Sequence, residues 1–408
     1  MNIDRERLIA RLDALGQVGR SDGARTRLAL TAEDKLGRDL IVRWMGEAGA
    51  EVHIDSIGNI HAMLHGMSDT APVMTGSHID TVKRAGALDG CYGVVAGIEV
   101  IDAIRRTNSR PNHTIIVTAF TNEEGVRYSP DLLGSRVMTK DMGVSAALAL
   151  ISTDGERCGD ELERIGYAGD RSPWDFLPAV YVELHIEQGP VLDVRRIPIG
   201  IVTGVQGYNW WKVTITGRAN HAGTTPMNMR RDAGGAAMRV INQLTERASR
   251  DAIPSVATVG TLTMEPGAIN VVPGKASFTV DFRDPSNEGL ARAETELRRS
   301  LDALEDEGFT TTITCLSRNP AVAFDENLCK AIAQVAADRS LPSLEMLSGA
   351  SHDAQMLARV CPTAMIFVPS RDGISHNPDE FTEPDDLCNG AEVLLETIAR
   401  LVTREPTS

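Results

Sequence analysis

The sequence predicts an α/β protein of two domains, a mixed and mostly parallel sheet flanked by helices with a smaller β-α-β-β-α-β, ferredoxin-like domain inserted into it. Three observations carry this reading. Helical and extended periodicities alternate through the first 200 or so residues, the order that builds βαβ units. The run Thr114-Ile115-Ile116-Val117-Thr118-Ala119-Phe120 is almost continuously apolar and β-branched, as expected of a strand covered on both faces of a parallel sheet. The texture then changes near Gly207 and reverts beyond Pro320, which places residues 1–207 and 321–408 in one domain and 208–320 in the other.

Taken in order, residues 28–50 carry apolar positions at helical spacing, 51–60 read as extended chain and 72–76 as a short apolar strand. Residues 89–106 read as a helix, with Val94, Val95, Ile98, Ile101 and Ile104 recurring on one face. In the inserted domain, strands are expected at 210–216, 257–264, 276–282 and 310–315, with helices at 233–248 and 290–304. Beyond it come a helix at 327–340, a strand at 364–368 and a helix at 386–403.

The chain has 408 residues, 42% hydrophobic and 24% charged, an ordinary globular composition that excludes disordered, collagen-like and coiled-coil classes. With 41 Lys and Arg against 56 Asp and Glu, its net charge of −15 repels phosphate backbones and anionic lipid. Neither a nucleic-acid nor a membrane partner is expected, and an anionic substrate must be met by a local Arg or a metal ion. No basic start followed by an apolar stretch marks the amino terminus for export, and no apolar run reaches the ~20 residues of a membrane span. Six scattered cysteines without a CxxC pair fit reduced thiols in the cytoplasm and argue against a thiolate zinc site.

Five short runs carry chemistry. In Gly76-Ser77-His78-Ile79-Asp80-Thr81, His78 and Asp80 point to one side of an extended chain; the carboxylate would fix the tautomer of a metal-bound ring, or the pair is a loop histidine beside a solvated acid. Asp89-Gly90 puts a carboxylate at a helix start, where Asp also serves as an N-cap. Thr121-Asn122-Glu123-Glu124-Gly125 sets two adjacent carboxylates at the carboxyl edge of the most apolar strand. One could hold a metal and the other act as general base, or both are a solvated turn. In Glu183-Leu184-His185-Ile186-Glu187-Gln188-Gly189, strict alternation puts Glu183, His185 and Glu187 on one face, costly to bury without a cation. The fifth, Gly373-Ile374-Ser375-His376-Asn377-Pro378, holds His376 in a loop where histidines are common. Together they form a nitrogen and oxygen donor set suited to zinc or a similar divalent ion. Five ligands suggest two metals sharing one carboxylate.

With His221-Ala222-Gly223-Thr224-Thr225-Pro226-Met227 and Pro190 after the fourth run, these motifs stand in the order found in the M20 metallopeptidase family. Over essentially the whole chain the sequence resembles its hydantoinase/carbamoylase branch: N-carbamoyl-L-amino-acid amidohydrolases, allantoate amidohydrolases and β-ureidopropionases. The resemblance implies that His78, Asp89 and His185 hold one divalent ion (Zn, Mn or Co) and Asp89, Glu124 and His376 a second. Glu123 is then the general base and Asp80 the residue that orients His78. The inserted domain becomes a lid and dimerisation domain of a homodimer, carrying His221 for the tetrahedral oxyanion and Asn270 and Arg283 for the substrate carboxylate. Gln188, Gly349 and Ala350 are implied substrate contacts. A planar guanidinium suits a carboxylate, although Arg283 in Asp281-Phe282-Arg283-Asp284 also reads as a strand-end ion pair.

The expected activity is hydrolysis of a linear carbamoyl or ureido C–N bond, with an N-carbamoyl-L-amino acid as substrate. Allantoate and N-carbamoyl-β-amino acids are the alternatives within the branch, and peptides the alternative in the wider family. A metal-bound binding protein without catalysis is a further alternative, against which Glu123 and the five ligands together speak. Asn209 and Arg230, beside these motifs, receive no substrate role, and the tandem Trp210-Trp211 reads as core packing.

Overall fold

The computed structural model describes residues 1–68, 70–108, 110–251 and 255–403. The chain divides into two compact units, Met1–Gly204 with Ala323–Ser408, and Val205–Val322.

In the first unit, strands Ile199–Val205, Thr363–Val368, Val180–Ile186, Val73–His78, Ile115–Phe120, Ile60–Leu64 and Glu51–Ile54 lie side by side in that order in one mixed sheet. The four central strands, from Thr363–Val368 to Ile115–Phe120, are mutually parallel. Their side chains are buried on both faces, which explains why the apolar runs are continuous rather than alternating. The stretch expected to be one extended segment at 51–60 is instead an antiparallel hairpin. Its turn forms because the Asp55 carboxylate accepts from the N–H groups of Ile57 (3.0 Å) and Asn59 (2.9 Å).

Helix Cys91–Arg105 connects Val73–His78 to Ile115–Phe120 on one side, whereas Val180–Ile186 adds to the other side of Val73–His78. The strand order therefore reverses at Val73–His78. A crevice opens outside the carboxyl ends of the strands at such a point, and the ends of three central strands lead directly into His78, Glu123-Glu124 and His185-Ile186.

The second unit has strand order Val256–Glu265, Lys275–Asp284, Gly207–Thr216, Thr310–Asn319, all antiparallel, with helices Ala233–Asp251 and Asn287–Asp306. Burial alternates along Gly207–Thr216 and Lys275–Asp284, because only one sheet face is covered. Trp211, Val213, Phe278, Val280 and Phe282 pack there against Val240 and Leu244 of one helix and Leu290, Leu297 and Leu301 of the other. Of the tandem tryptophans, Trp211 belongs to this core and Trp210 is 41% exposed, as the strand period requires. The six cysteines are unpaired. Among the described residues no helix is long and apolar enough to cross a membrane.

Candidate metal centre

His78 is the last residue of strand Val73–His78 and His185 the penultimate residue of Val180–Ile186. Both rings are fixed by main-chain carbonyls: Nδ1 of His78 lies 2.9 Å from the Asp80 oxygen, and Nδ1 of His185 lies 2.8 Å from the Ile186 oxygen. A carbonyl only accepts, so each Nδ1 carries a proton and each Nε2 is the ring nitrogen left to face the cluster. These nitrogens face Asp89, with Nε2 to Oδ1 distances of 3.5 Å from His78 and 3.2 Å from His185. His376 approaches the other oxygen, Nε2 to Oδ2 being 3.0 Å, and stands 3.6 Å from Glu124 Oε2. His78, Asp89 and His185 thus bring donor atoms together in one group and Asp89, Glu124 and His376 in a second. Without a metal the imidazoles, whose basicity the surrounding carboxylates raise, meet the charge of the carboxylates; a cation bound there would take the place of their protons. The all-nitrogen and oxygen donor set fits divalent metal ions.

Asp89 is not an N-cap. The cap position of helix Cys91–Arg105 is Gly90, with φ of 62° and no side-chain cap, which releases the Asp89 carboxylate toward the histidines. Gly90 is required twice, because its φ is left-handed and because a Cβ would stand 2.4 Å from His78 Nε2. Gln188, also at positive φ (59°), donates Nε2–H to Asp89 Oδ2 at 2.9 Å. Its Oε1 is buried without a partner.

Asp80 supports the centre differently from the expected carboxylate-to-ring contact. Its main-chain oxygen holds His78, while its carboxylate, 3.8 Å from Nδ1, accepts from the N–H groups of Glu123 (3.1 Å) and Glu124 (3.3 Å). Glu123 Oε2 lies 3.4 Å from His78 Nε2. Burial pushes the Glu123 carboxyl well above the usual range and, with the Asp89 charge, raises Glu124 to about 8. The hydrogen bond to Asp89 raises His376 to about 9. These displacements are those of carboxylates crowded in low dielectric, with an imidazole beside them as countercharge.

The alternating face Glu183, His185, Glu187 does not converge on one ion. Glu183 accepts from the Ser77 hydroxyl (2.7 Å) and the Ala354 N–H (2.9 Å). Glu187, beyond the strand end, caps Val191 and Leu192 N–H at 2.8 and 2.7 Å. Buried hydrogen-bond donors, rather than a metal, satisfy both carboxylates.

A cavity of about 180 Å³ lies over the cluster, lined by His78, Asp89, Glu123, Glu124 and His376 with Gln188, Asp131, Ala350, Ser351 and His352. Gly349 next to Ala350 is exposed. His352, in the loop 348–353 that the sequence offers as a contact segment, packs its ring edge-on against His185 with centroids 4.6 Å apart; sequence reasoning overlooked Glu380, which sits in no run with a recognisable ligand spacing.

His221, Asn270 and Arg283 belong to the second unit. His221 is exposed, and its Nδ1 accepts from Gly223 and Thr224 N–H at 3.0 and 3.2 Å, which leaves the ring proton on Nε2. Arg230 braces this loop through the Thr225 carbonyl (2.9 Å). Asn270 is exposed at the adjoining turn, its main-chain oxygen accepting from Ala222 N–H at 3.0 Å. Arg283 pairs with Asp281 at 3.1 Å and lies over the Tyr208 ring at 5.7 Å.

The model of peptidase family M20/M25/M40 matches residues 74–400. An N-carbamoyl-L-amino acid amidohydrolase of Geobacillus stearothermophilus is 38% identical over 417 residues, covering 99% of this chain and 100% of that one. An allantoate amidohydrolase of Bacillus subtilis is 34% identical, covering 96% of each. Among solved structures, an amidase of the hydantoinase/carbamoylase family from Burkholderia multivorans superposes with a TM-score of 0.94 at 41% identity, covering 100% of this chain and 99% of that one.

Replacing Gly90 by Ala tests the local geometry. The strained φ and the clash with the His78 ring should lower the stability of the metal-free protein by about 1–3 kcal/mol in denaturant unfolding and weaken divalent-ion binding in a titration. Unchanged stability and affinity would show that the turn tolerates a side chain.

Proposed function

The chain belongs to peptidase family M20/M25/M40, and from that premise we propose that it is a two-cation amidohydrolase cleaving the carbamoyl C–N bond of N-carbamoyl-L-amino acids in the cytoplasm. The observation that carries the reading is the pair of donor groups sharing Asp89, with the Glu123 carboxylate beside them, in a chain whose relatives bear that activity along their full length.

One ion would be held by His78, Asp89 and His185 and the other by Asp89, Glu124 and His376; such ions polarise a carbonyl and lower the pKa of water. Glu123 removes a proton from the attacking water at Oε2, aided by the burial that raises its basicity. The water oxygen bonds to the carbamoyl carbon, the bond from that carbon to the amino-acid nitrogen breaks, and Glu123 delivers its proton to the departing nitrogen. The products are the free amino acid and carbamate, which decomposes to carbon dioxide and ammonia. Asp80 holds Glu123 in place through its main-chain N–H, and Gln188 fixes the shared carboxylate while offering Oε1 to substrate. The loop at Gly349 and Ala350 contributes main-chain contacts.

The proposal extends to the inserted unit, as lid and dimerisation domain of a homodimer. The exposed Nε2–H of His221 is a donor for the oxyanion. Asn270 and Arg283 read the substrate carboxylate, with Asp281 and Tyr208 orienting the guanidinium. The similarity to allantoate amidohydrolase favours allantoate as the second reading.

Turnover of N-carbamoyl-L-amino acids, allantoate, N-carbamoyl-β-alanine and dipeptides, with Mn, Zn and Co each supplied, decides among substrates. Chelation should abolish activity and a divalent ion restore it; full turnover by protein shown by elemental analysis to be metal-free refutes the reading. Glu123→Gln should lower kcat about 10²–10⁴-fold with metal content near wild type, whereas loss of metal would make Glu123 a ligand. Arg283→Ala should raise KM strongly for the carboxylate substrate and much less for its amide. Equal losses on the two would leave Arg283 as a strand ion pair.

A further inference from the structure

Glu380 lies four residues beyond His376, in a loop whose sequence reads as solvated turn, yet it is only 8% exposed. Its Oε1 accepts from the main-chain N–H groups of Leu88 (2.8 Å) and Asp89 (3.2 Å). Its Oε2 accepts from the Ser375 hydroxyl at 2.9 Å. Ser375 in turn stands 3.4 Å from both Asp89 Oδ2 and Gln188 Nε2. No ion pair of Glu380 occurs among the described residues. Room for it is kept by Gly86, where a Cβ would fall 2.3 Å from the Glu380 Cβ and Oε1.

A buried carboxylate with no cationic partner, placed beside Asp89 and the acidic cluster, is unfavourable unless it fixes something of value. Here one side chain ties together two segments that are distant in sequence. It clamps the backbone that presents Asp89, just before the left-handed turn at Gly90, and it holds the hydroxyl of the residue next to His376. Asp89 and His376 are both members of the second donor group, so their mutual placement depends on this clamp. The hydrogen-bonding partners of ligands are the usual means of fixing ligand orientation, and their loss typically costs 10–100-fold in metal affinity.

We propose that Glu380 is a positioning residue for the Asp89–Glu124–His376 site: it sets the separation of Asp89 from His376 through Leu88 and Asp89 N–H on one side and Ser375 on the other. The proposal rests on the two-cation reading above. It predicts an asymmetry: Asp89 serves both groups, but His376 alone of the rings is held through Ser375, whereas His78 and His185 are positioned by their own carbonyl contacts.

The test is calorimetric titration of the full chain, freed of metal by chelation, with manganese alone, together with the melting temperature of the metal-free protein. Wild type should take up two ions. Glu380→Ala should weaken the His376-side ion about 10–100-fold and the other ion by much less. Glu380→Gln, which keeps an oxygen for the two N–H groups, should recover most of the loss. Should Glu380→Ala fail to fold, Ser375→Ala decides, with a smaller loss at the same ion expected. Folded Glu380→Ala binding both ions as wild type does, Glu380→Gln falling as far as Ala, or, in that fallback, Ser375→Ala binding unchanged, overturns the proposal while leaving the two-cation reading intact. A wild-type chain that takes up no manganese overturns both.

Discussion

The Asp89 carboxylate faces three imidazole nitrogens at 3.0 to 3.5 Å. Two of those rings are held at Nδ1 by carbonyls, which turns each Nε2 toward the carboxylates. Without a metal the carboxylates raise the basicity of these rings and so hold protons on them; a bound cation would take the place of those protons, and either way charge is concentrated in a largely buried place. Much of the surrounding structure serves to hold it nonetheless. Gly90 takes a left-handed conformation so that Asp89 turns inward, Gln188 takes another to reach Asp89, and Asp80 divides its carbonyl and carboxylate between His78 and the Glu123-Glu124 turn.

The sheet makes this holding possible. Four parallel strands buried on both faces are rigid, and the reversal of strand order at Val73–His78 leaves their carboxyl ends facing an open crevice. Side chains at a strand end inherit the precision of the strand, while the loops beyond supply Glu124 and His376. The rigid element therefore carries the two carbonyl-locked histidines, and the loop carries His376, whose neighbour Ser375 is hydrogen-bonded to Glu380.

Much of this was legible in the residues themselves. Long periodic segments such as 89–106 and the continuous run at 114–120 declare themselves, because burial dictates residue type along their whole length. Single residues were legible only where a motif gathered them; alone, Asp89 reads as an N-cap and Arg283 as an ion pair, and the latter contact is present. The face of Glu183, His185 and Glu187 misled for a physical reason. Alternation shows which side a residue faces, but not that Ser77 and Ala354, distant in sequence, supply donors to Glu183. Glu380 was invisible for the same reason, since its partners Leu88 and Asp89 lie nearly 300 residues away and its own neighbours are those of a polar turn. The hairpin at 51–64 was missed although Gly58, at φ of 82°, marks its turn; with apolar Ile54, Ile57 and Ile60 at regular intervals, the run also reads as continuous extended chain.

Charge connects the site to its chemistry. Among the described residues lining the cavity are four carboxylates, Asp89, Glu123, Glu124 and Asp131, and neither Lys nor Arg, in a chain of net charge −15. Such a cavity rejects an anionic group until divalent ions neutralise it, and even then it has no fixed cation to orient a carboxylate. A neutral carbamoyl group, with a carbonyl oxygen to be polarised and N–H donors to meet carboxylate or amide oxygens such as Gln188 Oε1, suits the lining as it stands. The carboxylate of an amino acid does not. A substrate carrying both ends thus needs two kinds of recognition, and the lining supplies groups suited only to the carbamoyl end.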